Sequence, residues 1–82
     1  MLRELTAGEL QQEARRALEG RTQAEAAQAL NVTPSAISLA LNTETPRRYA
    51  ATLIRIIEHF TPSRVEAVTL YRLREEERLN DQ

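Results

Sequence analysis

The stretch Gln23–Asn42, QAEAAQALNVTPSAISLALN, decides the fold. Immediately before it, Thr22-x-x-Glu25 has the spacing of a capping box. In such a box the threonine hydroxyl accepts from the N–H three residues on and the glutamate reaches back. A short helix over Gln23–Leu30 follows. Asn31-Val32 interrupts it, and Thr33-Pro34 opens the next helix, with threonine as N-cap and a proline where no N–H partner is required. Two short helices joined by so tight a turn cross closely, which calls for particular residue types. Ala27 is small where the second helix passes over the first. Leu30, Val32 and Ile37 are apolar where the pair closes onto its neighbours. Asn31 stands in the turn, where a left-handed backbone is needed and asparagine tolerates it. The pattern predicts a helix-turn-helix between Thr22 and Asn42.

Outward from this unit, the start signals repeat. Thr6-x-x-Glu9 is a second capping box, with Leu5 and Leu10 at the staple positions. Leu10, Ala14, Ala17 and Leu18 then recur at helical spacing until Gly20 supplies a stop. Thr45-Pro46 opens a helix with Tyr49, Leu53, Ile56, Ile57 and Phe60 on one side and Arg48, Arg55, Glu58 and His59 on the other. Thr61-Pro62 opens a last helix, in which Val65, Ala67, Val68, Leu70, Tyr71 and Leu73 project around most of the circumference. A helix apolar on two sides is covered on two sides, one by the core and the other by a second subunit. The alternative is that these residues fold back on the first helix and complete the core. Arg74–Gln82 reads as a solvated, fraying end. The expected fold is therefore all-α, a compact bundle of about five short helices. Residues 1–60 form the helix-turn-helix domain, and residues 61–82 a C-terminal helix used for dimerisation.

Composition narrows the function. The chain has 82 residues, no cysteine and one histidine, so disulfide frameworks and the usual zinc sites are excluded. A chain this short is often stabilised by a partner subunit. No apolar run has the length of a membrane span, and Met1 is followed by a charged segment rather than a signal peptide, which points to the cytoplasm. The net charge of −1 argues mildly against a nucleic-acid partner. However, residues 75–82 sum to −3, which leaves +2 on residues 1–74, and a local basic face matters more than the total. Nothing resembles a catalytic constellation: there is no second histidine, glycine-rich phosphate loop or convincing carboxylate pair. No cofactor or metal is expected. His59 reads as an exposed surface histidine, and Glu75–Glu77 as a solvated helix end.

Residues 20–42, and more loosely the following segment with Pro46 and Tyr49, resemble the Cro and phage-repressor family of helix-turn-helix proteins. The likeness rests on Gln23, Ala27, Val32 and Ile37 in their spacing. Asn31 replaces the family's turn glycine, and Ala40 stands where a larger apolar residue is common, with Leu41 positioned to compensate. The resemblance implies a lambda-repressor-like fold and a recognition helix that enters the major groove of double-stranded DNA. It places Thr33, Ser35, Ala36, Ser38 and Leu39 against base edges. None of these is an Arg, Asn or Gln capable of bidentate base contact, so direct readout is modest. Gln23, Asn42, Thr43, Arg47 and Arg48 are the phosphate candidates, with Arg21 as an additional basic contact.

The expected function is that of a dimeric, cytoplasmic, nucleoid-associated repressor of phage or prophage type that binds a palindromic operator. Val68, Leu70, Tyr71 and Leu73 are the expected homodimer interface. The competing reading is a helix-turn-helix fold that binds another protein, as an antirepressor or antitoxin-like partner would.

Overall fold

The computed structural model describes residues 2–67 and 71–75. The chain is mostly helical. Strand β1 (Leu2–Leu5) leads into helices α1 (Ala7–Ala17), α2 (Gln23–Leu30) and α3 (Pro34–Asn42). A 3₁₀ turn (Pro46–Tyr49) then precedes α4 (Ala50–Phe60), and strands β2 (Ser63–Ala67) and β3 (Tyr71–Glu75) follow. The strands form one antiparallel sheet in the order β1-β3-β2, with β3 central. Among the described residues, no helix is long and apolar enough to cross a membrane.

Local chemistry accounts for the helix starts. Both capping boxes are formed, Thr6 with Glu9 and Thr22 with Glu25, each satisfying two backbone donors. Thr33 caps α3 through its hydroxyl, with Pro34 at the first helical position. Leu5 and Leu10, the staple pair, are both buried. The core joins all layers: Leu10 and Ala14 of α1, Ala26, Ala27 and Leu30 of α2, Ile37, Ala40 and Leu41 of α3, Leu53, Ile56 and Ile57 of α4, and Leu73 of β3.

Three expectations are corrected. Thr45-Pro46 does not start an α-helix directly. The Thr45 hydroxyl bonds the Thr43 hydroxyl instead of capping, so Pro46–Tyr49 is a 3₁₀ turn and α4 begins at Ala50. Residues 61–82 are not a fifth helix where they are described: the Thr61 hydroxyl donates back to the Ile57 carbonyl at 2.6 Å and accepts the Ser63 N–H at 3.2 Å instead of capping a new helix. The chain leaves α4 extended (Thr61 φ −137°, ψ 164°) and enters the β2–β3 pair. The physical reason is a period of two. Half-buried Val65 lies between exposed Arg64 and Glu66, and the register sets Val65 opposite buried Leu73. β1, which the helical periodicity did not indicate, completes the sheet by pairing Arg3 with Leu73 and Leu5 with Tyr71.

The third correction concerns the dimer interface. Leu73 is only 2% exposed in the single chain and belongs to the same core as the helices, so it is not available to a second subunit. Tyr71 is half-buried and packs against that core. Val68 and Leu70 lie outside the described residues.

Candidate nucleic-acid interface

The α2–α3 pair is closed by backbone geometry at Asn31. With φ 59° and ψ 46°, this residue occupies the left-handed region. Its N–H donates to the Gln28 carbonyl at 3.3 Å, and the Val32 N–H reaches back to Ala27 at 2.9 Å. These two bonds make a Schellman ending, which satisfies carbonyls that the last turn of α2 leaves open. Ala26 and Ala27 are buried, and their small size lets α3 cross closely.

α1 and α4 hold the pair from behind. Arg15 of α1 donates from Nε and a terminal nitrogen to the Leu41 carbonyl (2.9 and 2.6 Å), and reaches Asn42 Oδ1 at 3.3 Å. Gln11, one turn earlier on the same ridge, donates to the carbonyls of Ala40 and Thr43, both at 3.0 Å. A cation and an amide thus sit at the C-terminus of α3, where orphan carbonyls concentrate partial negative charge. Arg55 of α4 does the same for α2, donating to the Leu30 carbonyl at 2.7 Å. The sequence reading placed Arg55 only on the side of its helix opposite the apolar residues, and it missed all three capping roles. The available signal was the i, i+4 pair of long donors, Gln11 and Arg15, on one side of α1.

With its inner face fixed by Ile37, Ala40 and Leu41, α3 presents Ser35, Ser38, Leu39 and Asn42 on the opposite side. Thr33 and Ser35 are exposed, Ala36 and Ser38 are half-buried, and Leu39 is 49% exposed. Thus the expected base-facing residues do gather at the N-terminal part and outer surface of one helix. The expected phosphate contacts are more dispersed. Arg47 and Arg48 are exposed on the 3₁₀ turn, which packs against α1 and α3. Their guanidinium groups have no partner among the described residues, Glu44 included. Gln23 is exposed on the first turn of α2.

The remaining candidates are engaged locally. Asn42 donates to the Ser38 carbonyl at 2.8 Å, and the Thr43 hydroxyl accepts from the Thr45 N–H at 3.0 Å. Arg21 lies over the Phe60 ring, 4.8 Å from its centroid, in a cation–π contact.

A separate open depression of about 340 Å³ lies between α2 and α4, lined by Ala29, Leu30, Arg55, Glu58 and His59. Its charged groups are engaged: Arg55 with Leu30, and Glu58 with the Val65 N–H. Among the described residues, no three potential metal ligands come together. Comparison of the chain with family models, curated proteins and solved structures returns no match.

Proposed function

We propose that this protein is a sequence-specific, double-stranded-DNA-binding transcriptional regulator of the Cro and phage-repressor type. In this reading α2 and α3 are its helix-turn-helix, and α3 enters the major groove. One observation carries the proposal. α3 is clamped from behind by Arg15 and Gln11, its outer face is small and polar around Leu39, and Arg47 and Arg48, without a partner among the described residues, lie on the turn packed against it. A rigidly held helix with a free outer face suits base contact, and flanking cations suit phosphate. The protein acts in the cytoplasm as a homodimer on a palindromic operator, with its two α3 helices about 34 Å apart. Tyr71, Val68 and Leu70 remain the interface candidates; Leu73 does not.

Selection from random duplex DNA at low salt, followed by sizing of the complex, tests this reading. The expected result is an enriched palindrome bound by two chains. If about six phosphates are neutralised per dimer, affinity falls roughly a thousandfold between about 50 and 200 mM salt. Affinity that barely changes with salt counts against the proposal. A protein-interaction module is the second reading, favoured by the neutral outer face of α3 and the exposed Leu39. A selection that enriches no motif supports it instead.

A further inference from the structure

The outer face of α3 has an unusual division of labour. Asn42 carries its one carboxamide, the group best suited to hold adenine through two bonds. That carboxamide is occupied at both ends: Nδ2 donates to the Ser38 carbonyl at 2.8 Å, and Oδ1 accepts from Arg15 at 3.3 Å. The Thr33 hydroxyl accepts the Ala36 N–H at 3.1 Å, which leaves it one proton to donate. Ser35 and Ser38 offer hydroxyls that bond donors and acceptors alike and so discriminate weakly. What remains is Leu39. At 49% exposure it is the exposed large hydrophobic side chain among the described residues, and it stands on the same face as Ser35, Ser38 and Asn42. The apolar group that base pairs display in the major groove is the thymine C5-methyl.

We propose that Leu39 is the principal specificity-determining residue of α3 and reads the C5-methyl group of a thymine in each half-site. This inference rests on the DNA-binding reading above. The arginines of the 3₁₀ turn supply attraction without sequence preference, and Leu39 supplies the choice of base by covering a methyl that would otherwise face water.

The experiment uses the duplex enriched from the random pool and replaces its thymines one at a time with deoxyuridine. This removes the methyl and leaves base pairing intact. At one thymine per half-site, affinity falls about fourfold, as expected for one methyl-sized group losing its cover. Leu39→Ala binds the thymine and uracil duplexes equally at that position, and keeps the wild-type dependence on salt. Alanine on an exposed helix face is favourable to folding, so the variant remains a fair test.

Two results overturn the inference alone: an enriched duplex with no methyl-sensitive position, or Leu39→Ala retaining the thymine-to-uracil difference. Failure to enrich any duplex at low salt overturns the DNA-binding proposal, and this inference falls with it.

Discussion

Asn31 and Arg15 each solve a local problem that the α2–α3 pair creates. At Asn31 the chain needs a positive φ, which costs an ordinary L-residue roughly 1–2 kcal/mol. Asn31→Val should therefore lower stability by about 1 kcal/mol or more, whereas Asn31→Gly should leave it unchanged or raise it. Urea unfolding of the three proteins checks the order. A loss in Asn31→Gly equal to that in Asn31→Val would show that the side chain, not the backbone, is what matters. At Arg15 the guanidinium serves the last carbonyls of α3. Arg15→Ala should cost about 1 kcal/mol, below the usual range for a charged donor because the residue is exposed. Faster amide exchange at Thr43, whose N–H closes the last turn onto Leu39, reports the fraying directly. The need at Asn31 was legible in the sequence, because a tight turn names its own residue types. The role of Arg15 was not, because its partner lies 26 residues away.

Elements differ in how they end. β2 is an edge strand, and open edges recruit other strands. Here the Glu58 carboxylate takes the Val65 N–H at 2.9 Å, and the Thr61 hydroxyl takes the Ser63 N–H at 3.2 Å. Side chains from the end of α4 thus occupy donors that a further strand would need. Glu58→Ala should cost about 0.5–1 kcal/mol and increase self-association at high protein concentration, read by sedimentation. Unchanged sedimentation would show that the edge is protected by other means. The 3₁₀ turn offers the contrasting case of Arg47 and Arg48, whose guanidinium groups have no partner among the described residues. On the DNA-binding reading proposed above, removing Arg47 and Arg48 together should weaken binding to all duplexes alike. It should also flatten the salt dependence, by about one unit of slope for each phosphate no longer neutralised. A change in the preferred sequence instead would move these arginines from phosphate to base contact.

At the scale of the whole molecule, the main revision is the fate of residues 61–67 and 71–75. A two-sided apolar helix would have offered Leu73 to a second subunit; in the sheet it fills the core between β1 and β2. The two arrangements differ in what Leu73→Ala does. At an interface it would weaken dimers and spare the fold. In the core it should cost about 2–5 kcal/mol, a large share of the stability of a domain this small. Thermal unfolding at several protein concentrations separates them, since a core defect lowers the midpoint equally at every concentration.

Read alone, the sequence determined the starts of α1, α2 and α3, the left-handed turn at Asn31 and the apolar face of α4. Each is a local event: a cap, a proline position or a 3.6-residue period, carried by neighbouring residues. Only the tertiary structure decided that the segment after Thr61 is extended. There the residues admit either period, and the choice went to strands because β3 finds partners in both β1 and β2. One partner lies at the opposite end of the described chain, so no local window contains the pairing. The same distance hid the clamp on α3. The outer face of α3 was legible as a list of residues, but its free and spent members were separated only when Arg15 and Ser38 were found holding Asn42, leaving Leu39 exposed.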